Sequence, residues 1–335
     1  MKKIEQAILT DTLGRQHSYL RISLTERCNL RCTYCMPAEG IELTPRAHLM
    51  TADEIFEIAK TFVAHGVTKI RLTGGEPLVR KDFPEILERL ASLPVSLAIT
   101  TNGVLVPRFL ELLKKHQVAI TISIDSLQEQ KFNQITRRNY FRNVWDAIQM
   151  LIEQEMVVKL NIVLIKDFND SEIADFIALT KKQPLIIRFI EFMPFDGNRW
   201  DKTQLVSQEE ILDHILISYS KTELVRLQDA PNDTARNYKL KDYKGQFAII
   251  SSVTNPFCDS CNRIRLTADG KLKNCLFSSS ETSLLETFRS GASIIPLIKK
   301  AVGKKHAARG GMDTFEKLND PILHSRNRSM IKIGG

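Results

Sequence analysis

An α/β fold, an incomplete (β/α)6 TIM-like barrel followed by a smaller C-terminal α+β domain, is what the 335-residue sequence predicts, on three observations. Short β-branched apolar runs alternate with helical patterns six times between Tyr19 and about Pro194. The pattern then changes to short strands and turns, and polarity alternates along the earlier runs. Strand and helix alternation implies parallel pairing with right-handed crossovers. Six units fall two short of the eight that close a barrel.

The strands are expected at residues 20–24, 69–73, 95–100, 119–124, 157–165 and 185–190. Helices between them carry start signals. Thr51 and Glu54 form a capping box ahead of Ile55, Ile58 and Ala59, and Gly66 marks the stop. A second capping box, Ser207 with Glu210, opens the last helix of this region. Beyond it the sequence predicts strands at 222–227, 237–240 and 246–251, a hairpin turning at Asp269-Gly270, and helices at 282–289 and 293–300. The expected division is a partial barrel over 1–220 and a second domain over 221–335.

With 43% hydrophobic residues the chain can bury a large core. No apolar run approaches the length needed to cross a bilayer, and the apolar stretch after Lys2 and Lys3 lacks a small-residue cleavage site. A cytoplasmic protein without membrane contact is therefore expected. The net charge of +8 favours an anionic partner. There is no G-x-G-x-x-G fingerprint, no Walker A loop and no RNA-binding module, and aromatic residues are only 7%, which argues against a nucleic acid.

All six cysteines fall into two triads, Cys28, Cys32 and Cys35, and Cys258, Cys261 and Cys275. The spacings C-x3-C-x2-C and C-x2-C-x13-C suit iron-sulfur ligation better than structural zinc, which closes with four ligands. Each triad is one ligand short, leaving a position where a substrate or cofactor can bind metal. Disulfides would need an oxidising compartment. Zinc at the second triad, with Asp259 or His306 as fourth ligand, is an alternative that the spacing leaves open.

Residues at the C-terminal ends of barrel strands face the active site. Here those loops carry the first triad, Gly74-Gly75-Glu76-Pro77, Thr101-Asn102-Gly103, Asp125-Ser126 and Glu191-Phe192-Met193-Pro194. Strand parity sets Arg21, Ser23, Lys69, Arg71, Thr73, Thr100, Thr121, Ser123, Lys159 and Asn161 on one face, opposite an almost wholly apolar one. The apolar face must pack on the helices, so the polar face lines the lumen. A lumen holding Arg21, Lys69, Arg71 and Lys159 calls for an anion, and Arg and Lys favour phosphate oxygens. Arg263 and Arg265 follow Cys261 at strand spacing, with both guanidinium groups on one face.

Cys28-x3-Cys32-x2-Cys35 with Tyr34 inside it, followed by Gly74-Gly75-Glu76-Pro77, resembles the radical S-adenosylmethionine superfamily. Cys258-x2-Cys261-Asn262-Arg263-Ile264-Arg265, Cys275 and the Gly334-Gly335 pair narrow the resemblance to its GTP 3',8-cyclase family of molybdenum cofactor biosynthesis. The resemblance implies two [4Fe-4S] clusters. Cys28, Cys32 and Cys35 would hold the one that chelates S-adenosylmethionine; Cys258, Cys261 and Cys275 would hold one whose open iron faces guanine. Tyr34, Gly75, Thr100, Ser123 and Met193 match cofactor-contacting positions. Arg21, Lys69, Arg71, Lys159, Arg188, Arg263, Ile264 and Arg265 match GTP-binding positions or their neighbours.

The chemistry so implied begins with reductive cleavage of S-adenosylmethionine to methionine and a 5'-deoxyadenosyl radical, which takes the ribose 3' hydrogen of GTP. The carbon radical then attacks C8, giving (8S)-3',8-cyclo-7,8-dihydroguanosine 5'-triphosphate. Implied partners are GTP, a low-potential electron donor, a downstream cyclic pyranopterin monophosphate synthase and a second copy in a homodimer. Two alternatives remain: a radical enzyme acting on RNA or a peptide, and an electron carrier, which would usually close its clusters with four cysteines. Residues 307–330, rich in Arg, Gly, Asn and Ser, predict a disordered tail on composition. The resemblance instead implies that the tail reaches the active site, where Gly334 and Gly335 present backbone groups to Arg side chains.

Overall fold

The computed structural model describes residues 7–37 and 39–334 and orders them around one twelve-stranded sheet. Its first half runs β1 (Tyr19–Ser23), α1 (Ala52–Ala64), β2 (Lys69–Thr73), α2 (Phe83–Ala91), β3 (Ser96–Thr101), α3 (Val106–Lys115), β4 (Ala119–Ser123), α4 (Glu129–Thr136), α5 (Phe141–Glu153), β5 (Val158–Leu164), α6 (Ile173–Leu179), β6 (Ile186–Glu191) and α7 (Gln208–Ser218). β1 to β6 pair in that order, all parallel. Both capping boxes form: the Thr51 and Ser207 hydroxyls accept from the N–H of Glu54 and Glu210, and each Glu returns a bond to its cap.

The second half, β7 (Leu224–Arg226), β8 (Arg236–Leu240), β9 (Gln246–Ile250), β10 (Arg263–Leu266), β11 (Lys271–Lys273), β12 (Thr282–Ser283), α8 (Leu285–Arg289) and α9 (Ile295–Gly303), builds no sheet of its own. β9 pairs parallel to β6 and β10 parallel to β1, so the later strands extend both edges. Without them β1 and β6 would expose a row of unpaired N–H and C=O groups. Residues 282–283, expected to be helical, form β12. The N–H groups of Leu284 and Leu285 both go to the carbonyl of Gly270, which delays the helix until Leu285. Pro296, which lacks an N–H, sits in the first turn of α9.

Parity is obeyed. Leu20, Ile22, Ile70, Leu72, Ile120, Ile122, Leu160 and Ile162 are buried together with Ile58, Phe62, Phe83, Ile148 and Phe176 of the helices. Each such side chain contributes about 1.5–3 kcal/mol of transfer free energy. That packing leaves the other face to Arg21, Lys69, Arg71, Lys159 and Arg188, which line a cavity. The compositional expectation of a disordered tail does not hold for its described residues. Leu318, Asn327, Ile331 and Ile333 are buried. Lys273 donates to Asn327 Oδ1 (2.9 Å), and Arg328 pairs with Asp269 (2.8 Å) and Glu281 (2.7 Å). Gly335 lies outside the described residues. No helix among them is long and apolar enough to cross a membrane.

Candidate active site

The loop after β1 carries Cys28, Cys32 and Cys35, and two close approaches fix it. The N–H groups of Gly75 and Glu76 donate to the carbonyls of Thr25 (2.7 Å) and Arg27 (2.8 Å). A Cβ on Gly75 would stand 2.4 Å from the Arg27 oxygen, and one on Gly74 2.6 Å from that of Thr25. The two glycines are thus required by backbone contact. Glu76 is fully buried and accepts from Thr101 Oγ1 (2.7 Å), Asn102 N (2.6 Å) and Leu78 N (3.0 Å). Burial pushes its carboxyl up to about 7 despite these bonds. Asn102 in turn donates to Asn29 (2.7 Å) and lies 3.8 Å from Cys28 Sγ, so the second and third strand loops brace the triad.

Burial, followed by the charge of Glu76, pushes the Cys28 thiol up to about 11. Burial, followed by Cys35, holds Cys32 well above the usual thiol range. Cys35 is raised too, by burial and then by Cys28. Three thiols that oppose one another's ionisation suit a cationic centre, which reverses that penalty. Tyr34 donates to Asp125 (2.7 Å), whose other oxygen accepts from Val163 N (2.8 Å).

The second triad depends on register. Tyr19 is level with Arg263 and Arg21 with Arg265, so Cys258 and Cys261 stand at the start of β1, whereas the first triad follows its end. Four residue steps separate those ends, about 13 Å of strand. β11 returns antiparallel with Lys273 opposite Arg265, which carries Cys275 back towards Cys261. Burial opposes ionisation of Cys261, yet Lys305 and then Arg263 outweigh it and bring the thiol down to about 6. Asp259 and His306 are exposed and line no part of the cavity. Among the described residues no three His, Cys, Asp and Glu side chains close around a single metal ion. A four-iron cluster, which takes one thiolate per iron, spreads its ligands wider than four bonds of about 2.3 Å to one zinc ion.

Between the triads lies one cavity of about 780 Å³, lined by all six cysteines and by Tyr34, Gly75, Thr100, Ser123 and Met193. Arg21, Lys69, Arg71, Lys159, Arg188, Arg263 and Arg265 line it as well. Ile264 is the exception among the expected residues: its side chain is fully buried in the core behind β10 and does not line the cavity. Arg71 gives Nε to Tyr19 (2.5 Å) and Nη1 to Ile99 O, Thr100 and Thr121, which aims the rest of the guanidinium inward. Arg188 is depressed to about 10 by burial and then by Arg71. Arg265 falls to about 10 chiefly by burial. On the cavity wall, the donor Arg263 Nη2 is buried without a hydrogen-bond partner. Like charges crowded around one space are unfavourable without an anion among them.

Sequence reasoning missed Tyr19, the 227–235 loop with Asp233 and Thr234, and Arg309, all lining the same cavity. The Pro231-Asn232-Asp233 turn signal was visible in the loop, but nothing in it pointed inward. Glu191 of the sixth strand loop is an anchor: it accepts from Gln208 N (3.1 Å), Val253 N (2.8 Å) and Thr254 N (2.9 Å). Gly334 reaches the cavity wall, where Arg265 donates to its carbonyl (2.7 Å) and Met330 and Ile331 line the space.

A parallel α/β sheet whose first strand loop offers three thiols to a basic cavity defines a metal-cofactor enzyme class, and the comparisons give the same class. Residues 22–180 match the Radical SAM superfamily and residues 185–310 match Molybdenum Cofactor Synthesis C. The chain belongs to the GTP 3',8-cyclase family within the radical SAM superfamily. It is 38% identical over 338 residues to GTP 3',8-cyclase of Listeria welshimeri, covering 98% of this chain and 99% of that one. It is 47% identical over 325 residues to the mitochondrial GTP 3',8-cyclase of Arabidopsis thaliana, covering 95% and 83%. With Molybdenum cofactor biosynthesis protein 1 of Homo sapiens it shares 46% identity over 335 residues, covering 98% of this chain. The chain spans about half the length of that relative and its bovine and mouse counterparts. Streptococcus suis SuiB bound to S-adenosylmethionine shares the fold, with a TM-score of 0.57 at 14% identity, covering 81% of this chain and 65% of that one.

Proposed function

We propose that this chain converts GTP to (8S)-3',8-cyclo-7,8-dihydroguanosine 5'-triphosphate by radical S-adenosylmethionine chemistry, in molybdenum cofactor biosynthesis. The observation that carries the reading is one cavity with a thiol triad at each end and eight basic side chains along it. On this reading β1 to β6 act as the wall of a partial barrel, residues 1–220 as the cofactor half, and 221–335 as the half that completes the substrate site.

Cys28, Cys32 and Cys35 would hold one [4Fe-4S] cluster and Cys258, Cys261 and Cys275 a second. The first cluster would supply an electron and a chelating iron to S-adenosylmethionine, and the second an open iron to the guanine. Tyr34, Gly75, Thr100, Ser123 and Met193 would seat the cofactor, with Gly75 contributing backbone where a side chain has no room. Arg21, Lys69, Arg71, Lys159, Arg188, Arg263 and Arg265 would take the triphosphate, trading mutual repulsion for charge-assisted hydrogen bonds. The described tail would cover the substrate and keep water out. Closing the 3'–C8 bond leaves a base radical, which must take up one electron from a reductant and one proton to reach the 7,8-dihydro product. The electron donor, the downstream cyclic pyranopterin monophosphate synthase and a homodimeric state complete the proposal.

The test is anaerobic incubation of reconstituted protein with S-adenosylmethionine, a reductant and GTP, followed by product analysis. Cyclised nucleotide and 5'-deoxyadenosine should form together. Formation of 5'-deoxyadenosine without any GTP-derived product would refute the substrate assignment; absence of both would refute the enzymatic one.

A further inference from the structure

An N-terminal hairpin that belongs to neither cysteine motif grips the second triad. Residues 9–17 turn back through the Thr10 to Gln16 bridge and bury an ion pair, Arg15 Nε to Asp11 Oδ2 at 2.6 Å. Asp11 is fully buried, and its other oxygen accepts from the N–H of Leu13 (2.9 Å) and Arg15 (3.0 Å). Held in this way, Arg15 spends its outer nitrogens on three carbonyls from two distant segments. Nη1 donates to Cys258 O (2.9 Å) and Ala307 O (2.9 Å), and Nη2 to His306 O (2.8 Å). One guanidinium thereby ties the loop of the second triad to the chain after α9.

That segment brings Lys305 to the cysteines. Lys305 is only 5% exposed, and its ammonium donates to Cys261 Sγ (3.3 Å) and Arg263 O (2.8 Å). The N–H of Arg309 donates to Cys258 Sγ (3.4 Å). A buried ammonium needs anionic compensation, and the side-chain acceptor that faces it is the Cys261 sulfur. Hydrogen bonds and positive charge at ligand sulfurs favour the reduced, more negative state of an iron-sulfur cluster and so raise its potential.

We infer that Lys305 is a positioning and charge-balancing residue for a cluster at the second triad, donating to the Cys261 thiolate from a place fixed by the Asp11 to Arg15 clamp. The inference rests on the proposal that this triad holds iron. Loss of a group supporting a metal ligand typically lowers metal affinity about 10- to 100-fold. The ammonium acts on charge and potential, whereas the clamp acts on geometry alone.

The experiment uses full-length protein with Cys28→Ser, Cys32→Ser and Cys35→Ser, so that all bound iron reports the second triad. Iron per chain and the midpoint potential by EPR-monitored titration are measured after anaerobic reconstitution. Lys305→Met is expected to lower iron affinity about 10- to 100-fold and to move the midpoint to more negative potential. Lys305→Arg, which keeps the charge, should restore most of the midpoint. Arg15→Met should lower iron content while leaving the midpoint of the bound fraction unchanged. Wild-type affinity and midpoint in Lys305→Met would overturn the inference. If the parent with Lys305 intact binds no iron, the assignment of the second triad itself fails, a result distinct from the other. Where Lys305→Met folds poorly, Lys305→Gln takes its place in the same two measurements, and wild-type iron affinity and midpoint there would overturn the inference.

Discussion

Lys159→Met should move stability and binding in opposite directions. Lys159 projects from β5 into a cavity it shares with Arg188, Lys69 and Arg71. Burial first, and then those three cations, hold its ammonium below the usual lysine range, with Asp233 the weaker opposing influence. The charged form is therefore disfavoured in the ligand-free fold. Methionine keeps the aliphatic stem and deletes the charge, so the ligand-free protein should gain about 0.5–2 kcal/mol, the usual range for relief of an unfavourable site. Binding of the anionic substrate should lose one charge-assisted phosphate contact, about 1.5–3 kcal/mol, which is about 12- to 150-fold in Kd. Thermal unfolding without nucleotide and equilibrium GTP binding on the same reconstituted sample give the two readouts. A lower melting temperature combined with unchanged GTP affinity would refute the argument, because it would make Lys159 a structural residue outside the anion site.

Reconstituted protein should carry about eight irons per chain, four per triad. Cys28→Ser should abolish 5'-deoxyadenosine formation, while Cys261→Ser should retain the first triad's iron and lose GTP cyclisation; chromatography of both products alongside iron assay decides. Gly334→Ala would place a Cβ 2.6 Å from Thr73 Oγ1 and 2.8 Å from Ser23 Cβ at a φ of +86°. Displacement of the tail should follow, with iron content kept and most cyclisation lost, and equal product rates would detach the tail from the reaction. His17 is fully buried, and burial followed by Lys305 holds its imidazole down to about 4. Above the unfolded value near 6.5 both states are neutral and its stability contribution is intact; as pH falls the unfolded chain takes the proton first. Between pH 7 and pH 5 this should cost about 2 kcal/mol. His17→Gln should flatten that part of the stability profile in urea titrations, and an unchanged slope would show that other groups carry it.

The six parallel strands, their order and their inward face were legible in the sequence because periodicity two is a local property. Burial of Ile70 and Leu72 against helices leaves Lys69 and Arg71 no other side. The first triad was legible for the same reason: its three cysteines lie within eight consecutive residues of one loop. What the sequence did not determine is non-local. The strands of residues 221–335 extend both edges of the sheet that β1 to β6 begin, since an unpaired edge is satisfied by whichever chain segment reaches it. Ile264 was carried into the binding set with its arginine neighbours, but parallel register with β1 turns Arg263 and Arg265 to the cavity and Ile264 to the core. The disordered reading of the tail failed because composition cannot see the buried Lys273 and the Asp269 and Glu281 carboxylates that receive Asn327 and Arg328. The grip of Arg15 and Lys305 on the second triad joins residues up to 292 positions apart, so no spacing rule could have found it. Chain pattern decides which side of a strand is wet; only the folded register decides which distant side chains meet there.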